Sequence, residues 1–366
     1  MQENKKDLIF ITNIPTPYNF DLFESLSHYY SLKVYYYDKI ESDRFWNLDI
    51  NSIKYESFIF KKDILTYILN KLYDKLYFNI ECLKMIASTK CKNIIISGVY
   101  FSPNTILIAL IAKFRNKKIF WYGEKIDVNV TFSKFILKYI LFSPIRYSVN
   151  GILAIGNVAL KSYIKLGYID TIYNTPYAIN NEKFKRINHS YFDKSNKFTI
   201  VSSGSLIYRK GFDILLNAIN SLDAETQKNL RVVILGDGPE KENLKKLTNK
   251  NYELILTGFI EPNEIYGYFK NSDLFVFTSR YDGWGVVVNE AIASSLPIII
   301  TNTCGASEYV DINGGFIINS DPQILKNRIK KLYDDVTLRL KMSKYNYFKA
   351  MEIDSDSIAK KISNII

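Results

Sequence analysis

Apolar runs of four to six residues recur along the chain, each closed by a Gly, Pro or polar turn and followed by apolar residues at helical spacing. Residues 7–12, 33–37, 93–97, 118–122 and 150–155 read as strands in the first half. Residues 198–202, 231–235, 253–257, 274–277 and 298–300 read as strands in the second. Helical patterns fall between them, and alternation of strand and helix is the mark of an α/β chain with parallel sheets. Two such series in 366 residues predict two domains, 1–185 and 186–345, followed by a helical segment over 346–366. The polar run 186–197 reads as a linker.

Several local readings follow. Pro15 and Pro17 make 13–18 a loop, so the helix after the first strand takes its cap from Asn19 or Asp21. That first crossover loop has no Gly-x-Gly-x-x-Gly, which argues against a dinucleotide-binding half. Ile64, Leu65, Ile68, Leu72, Leu76, Ile80 and Leu83 form one stripe over 61–89 and predict a single core helix.

The richest stretch is 278–310. A strand ends in a Gly-rich turn (279–285), and a helical pattern follows over 286–295. Pro297, a second strand and a loop at 303–305 come next, and a short helix begins at Ala306. Two loops feeding two helix starts suit an anion, because free backbone N–H groups point at it and glycines let it approach. Asp282 and Glu290 lie eight apart and suit vicinal sugar hydroxyls, which donate to carboxylates. The chemistry implied is that of a nucleotide sugar.

Asp282-Gly283-Trp284-Gly285 followed by Glu290-Ala291-Ile292-Ala293-Ser294-Ser295-Leu296-Pro297 resembles the carboxylate-x7-Glu signature of the family 4 retaining glycosyltransferases. Asp282 stands where that family usually has Glu, and Ser295 where Gly is common. The resemblance implies a GT-B fold, two doubly wound Rossmann-like domains facing a central cleft, with a helix over 346–366 crossing back to the first domain. It implies transfer of a hexose from a nucleoside-diphosphate sugar, UDP-sugar first and GDP-sugar next, with retention. The acceptor would be a glycan or lipid-linked glycan in surface polysaccharide assembly. Lys210 and the backbone of Gly283, Trp284, Gly285 and Val286 would hold the diphosphate, Glu290 the ribose and Asp282 the sugar. Ser205 occupies the place of a usual Arg, so Arg209 is a second cation candidate. Phe259 and Ile260 would meet the base. Thr16, Tyr18, Glu124 and Asp127 are the acceptor-side candidates, with Glu124 also a catalytic candidate. The resemblance implies no obligatory cofactor, and no acidic cluster suggests a metal. A non-catalytic partner subunit of the same fold stays open.

Charge adds one feature. The net charge is +11, and residues 1–190 hold 26 basic and 16 acidic residues, a net of +10. That excess attracts an anionic partner. It is spread over half the chain, which argues against a nucleic-acid-binding module. Within 131–147, Phe132, Phe135, Ile136, Ile140 and Phe142 mix with Lys134, Lys138 and Arg146. Such a helix suits an anionic membrane surface, and a buried helix with snorkelling lysines is the other reading. The first residues lack a signal-peptide core and no segment reaches a membrane span, so the expected location is cytoplasmic, peripheral on the inner face. Cys82, Cys91 and Cys304 show no metal spacing and fit a reducing compartment. His28 and His189 lie far apart, with no metal site between them.

Overall fold

The computed structural model describes residues 5–39, 53–61, 63–73, 76–184 and 197–366. His189, the expected linker apart from Lys197, and the boundary at 185/186 lie outside them. The chain divides into two compact units, Met1–Ala178 with Ser355–Ile366, and Ile179–Asp354.

The first unit is built on seven strands: β1 (Lys6–Thr12), β2 (Tyr30–Tyr36), β3 (Glu56–Ile59), β4 (Asn93–Ser97), β5 (Lys118–Gly123), β6 (Gly151–Ala154) and β7 (Ile172–Asn174). All pair in parallel, in the order β3-β2-β1-β4-β5-β6-β7. Leu8, Phe10, Ile94, Ile95, Ile119 and Ile152 are fully buried. Both faces of the central strands are therefore covered, which is why they read as unbroken apolar runs. The helix Ser355–Ile365 completes this unit beside the Pro17–Ser27 helix. Ser25 Oγ donates to Ser355 Oγ at 3.0 Å, and Lys361 Nζ donates to the Asn174 carbonyl at 2.6 Å.

Two local expectations are corrected. The helix after β1 begins at Pro17, with Thr16 as its extended N-cap residue. Proline at the first helical position loses no hydrogen bond, so the start moves ahead of Asn19 and Asp21, which both lie inside the helix. The stripe over 61–89 is two helices, Ile64–Leu72 and Ile80–Ser88. Side chains take the amides that a continuous helix would use. Ser102 Oγ accepts from Tyr77 N (3.0 Å), Thr66 Oγ1 from Phe78 N (3.0 Å) and Asn104 Oδ1 from Asn79 N (2.9 Å). Asn79 then caps the second helix by accepting from Cys82 N at 2.8 Å. Ile64, Leu65, Ile68 and Ile80 are exposed, and only Cys82 and Ile86 of the second helix are buried, so most of the stripe is not core.

The second unit has six parallel strands: β8 (Phe198–Ser203), β9 (Leu230–Leu235), β10 (Glu253–Leu256), β11 (Leu274–Phe277), β12 (Ile298–Thr301) and β13 (Gly315–Ile318). Their order is β10-β9-β8-β11-β12-β13. From β8 the chain winds outward one way, and from β11 the other. The loops leaving β8 and β11 thus part at the carboxyl edge, where open α/β sheets bind ligands.

Candidate functional site

The loop after β8 turns through a short 3-10 segment, Tyr208–Lys210, and ends at Gly211 in the left-handed region (φ 68°). A Cβ on Gly211 would stand 2.2 Å from the Thr278 carbonyl oxygen, so only glycine allows this turn to press on the loop after β11. The seam is laced by hydrogen bonds. Thr278 Oγ1 donates to the Gly211 carbonyl (2.8 Å), and both Ser279 Oγ (3.2 Å) and Arg280 N (2.8 Å) donate to the Arg209 carbonyl.

That seam brings the charged residues together. Lys210 Nζ stands 2.5 Å from Asp282 Oδ2, and Arg209 Nη1 lies 3.4 Å from the same oxygen while donating to the Tyr281 carbonyl at 2.8 Å. Asp282 is 9% exposed and the Lys210 side chain is largely buried too, so solvent screens their pairing less than it would a surface pair, while Arg209 reaches in from a more exposed position.

Backbone bonds hold Asp282 in turn. Its N–H donates to the Thr303 carbonyl and its carbonyl accepts from Gly305 N, both at 3.3 Å. A Cβ on Gly305 would stand 2.2 Å from the Gly283 carbonyl oxygen, which explains a glycine there. Cys304 Sγ donates to the Trp284 carbonyl at 2.8 Å. Burial lifts that thiol to about 12, and the Asp282 charge adds to the effect. The Trp284 side chain is buried and donates to Asn289 Oδ1 at 3.0 Å, so only its backbone is left for a ligand. Val286 opens the helix Val287–Ala293, with Glu290 half-buried in its first turn. Ser205 is exposed beyond β8. Exposed Phe259 and half-buried Ile260 follow Gly258 beyond β10. Gly258 accepts from Gly236 N, beyond β9, at 3.0 Å.

The first unit's candidates separate into two groups. Thr16 is buried, and its hydroxyl has no hydrogen-bond partner among the described residues. The Tyr18 ring lies 4.6 Å from that of Tyr177, whose hydroxyl donates to Glu124 Oε1 at 3.1 Å. Burial pushes the Tyr177 hydroxyl well above its ordinary range, and the Glu124 charge adds to this. Tyr177 thus joins Tyr18 to Glu124, a link absent from the sequence reading. Asp127 serves a turn instead: Oδ1 accepts from Asn129 N (3.1 Å), and its carbonyl accepts from Lys138 Nζ (2.6 Å).

Among the described residues no group of three or more His, Cys, Asp or Glu side chains could hold a metal ion, and no helix is long and apolar enough to cross a membrane.

Residues 183–348 match the family of glycosyl transferases group 1. The matched stretch contains Lys210, Asp282 and Glu290. The chain is 24% identical over 141 residues to the uncharacterized glycosyltransferase MJ1607 of Methanocaldococcus jannaschii, covering 37% of this chain and 36% of that protein. It is 25% identical over 261 residues to the capsular polysaccharide biosynthesis glycosyltransferase CapM of Staphylococcus aureus, covering 65% and 67%. The match to MJ1607 thus spans about a third of that relative's length. In fold, the chain is similar to Anabaena Alr3699/HepE, solved in complex with UDP, with a TM-score of 0.74 at 15% identity over 98% of this chain and 99% of that one. The two parallel-sheet, Rossmann-like units are those of the GT-B fold.

Proposed function

We propose that this protein is a retaining glycosyltransferase that moves a hexose from a nucleoside-diphosphate sugar, UDP-sugar first and GDP-sugar next, to a glycan or lipid-linked glycan during surface polysaccharide assembly. The observation that carries the reading is the meeting of Lys210 and Arg209 at one oxygen of Asp282, at the edge where the loops of β8 and β11 part. Two cations converging on one anionic oxygen are equipped to take a phosphate in its place. Lys210 and the backbone of Gly283–Val286 would stabilise charge growing on the leaving diphosphate, the point at which preorganised donors accelerate transfer most. Asp282 would accept from sugar hydroxyls, Glu290 from the ribose, and Phe259 and Ile260 would meet the base. The group 1 segment, the UDP bound in a protein of similar fold and the capsular role named for CapM support this reading.

The acceptor falls to the first unit, at Thr16, Tyr18 and Glu124, with Asp127 three residues after Glu124. Membrane attachment is proposed for the Phe132–Ser148 helix, where Phe132, Ile136, Leu137 and Ile140 are exposed beside Lys134. Sedimentation with anionic vesicles tests this, and protein left in the supernatant would refute it.

The deciding experiment is a thermal-shift and calorimetric series over nucleoside diphosphates and their sugars, followed by assay of slow donor hydrolysis. Binding with hydrolysis supports an enzyme. Binding without hydrolysis or transfer favours a non-catalytic partner subunit, a reading that the engagement of Asp282 by Lys210 keeps in view. No binding to any of them removes the donor assignment.

A further inference from the structure

Arg280 lies two residues before Asp282, yet its guanidinium reaches in another direction. Nη1 and Nη2 grip Asp213 Oδ1 and Oδ2 at 2.8 and 2.6 Å, a two-pronged pairing. Nη1 also donates to the Tyr208 carbonyl at 2.7 Å, and the guanidinium carbon sits 3.9 Å from the centre of the Tyr208 ring. Its backbone N–H holds the Arg209 carbonyl at 2.8 Å. Asp213 stands in the first turn of the Phe212–Asn220 helix, where a carboxylate also suits the helix dipole. Arg280 thus contacts residues on both sides of Arg209 and Lys210, and its two terminal nitrogens are committed to protein partners rather than offered to a ligand.

The two proposed phosphate ligands sit on a 3-10 turn only three residues long, with no side-chain cap of its own. A segment so short does not hold long, flexible Lys and Arg side chains in register by itself. We propose that Arg280 is the positioning residue for the diphosphate grip. Paired with Asp213 and stacked on Tyr208, it straps the turn Tyr208–Lys210 to the loop carrying Asp282, and so fixes where Lys210 and Arg209 present their charge. This rests on the donor reading above. It adds that the geometry of the grip is set from outside the ligand-contacting residues, through a pair 67 positions apart in sequence.

The test compares UDP and GDP with uridine and guanosine by calorimetry, in wild type, Arg280→Ala, Arg280→Lys and Asp213→Asn, with a melting curve for each. The strap predicts that Arg280→Ala weakens the better-bound diphosphate roughly tenfold, the scale of one hydrogen bond to a charged group. Binding of the matching nucleoside stays unchanged. Arg280→Lys, which keeps charge but loses the fork, restores little. In a background lacking both cations (Arg209→Ala with Lys210→Ala), Arg280→Ala should cost nothing further, because the groups it positions are gone. A residue that merely stabilises the fold would weaken diphosphate and nucleoside alike and add to the loss in the background without the two cations, and either result overturns the strap. Wild type that binds a diphosphate no better than its nucleoside overturns the donor reading and the strap together. Wild type that discriminates, alongside an Arg280→Ala variant that discriminates equally, overturns the strap alone. Should Arg280→Ala fail to fold, the nearly isosteric Asp213→Asn carries the same comparison.

Discussion

Lys210 Nζ and Asp282 Oδ2 stand 2.5 Å apart, with Arg209 Nη1 3.4 Å from the same oxygen. The lysine proposed for phosphate and the acid proposed for sugar are therefore partners in this structure. A diphosphate arriving at Lys210 competes with Asp282 for the cation, and the outcome of that competition can be measured.

Asp282→Asn keeps the shape and removes the charge. It should tighten binding of a bare nucleoside diphosphate by roughly tenfold, about 1.4 kcal/mol, because the cations lose their internal counterion. It should lower kcat/KM for the sugar donor, since an amide is a weaker acceptor for sugar hydroxyls. Calorimetry and initial rates decide, and weaker diphosphate binding would contradict the competition.

Lys210→Ala should lower kcat/KM by about 10²–10³, the usual loss on removing one preorganised donor from a developing anion. Arg209 remains beside Asp282, so the carboxylate keeps one cation and the protein stays folded. Unchanged turnover with an unchanged melting curve would refute the assignment.

Glu290→Ala should weaken nucleotide binding by roughly tenfold, the worth of hydrogen bonds to a charged acceptor. Uridine and UDP should lose affinity equally, since both carry the ribose. Equal affinity in variant and wild type counts against the ribose role.

The cysteines predict a pH dependence. Burial pushes the Cys82 and Cys304 thiols up to about 12 from an ordinary value of 9.0. Folded thiols then stay protonated where unfolded ones ionise. Their contribution to stability is fully present below pH 9 and is lost as pH rises toward 12. Replacing both by Ala should flatten the fall in the urea midpoint between pH 8 and pH 10. The wild-type thiols should resist iodoacetamide at pH 8 until denaturant is added.

Much of the fold was legible because buried parallel strands announce themselves. Residues 94–96 and 274–277 are unbroken apolar runs, and they form the centre of β4 and the whole of β11. Short strands carried weaker signals: Glu56–Ile59 is half exposed, and Ile172–Asn174 is only three residues long. The 61–89 stripe misled because helical spacing cannot register that Ser102 and Asn104, more than twenty residues away, claim the amides of Tyr77 and Asn79. At the candidate site, spacing within 282–290 was readable as a local motif. The pairing of Asp213 with Arg280 was not, since neither residue stands out beside its neighbours and only the fold makes them adjacent.

The helix Ser355–Ile365 packs in the first unit although it is translated after all of the second. On the ribosome, β8 to β13 and the helices between them have all emerged before Ser355 does, so the inner unit can close while the outer one still lacks a wall. Until that last segment arrives, the apolar flank of the Pro17–Ser27 helix stays uncovered, and it is there that a chaperone would find its hold on the nascent chain.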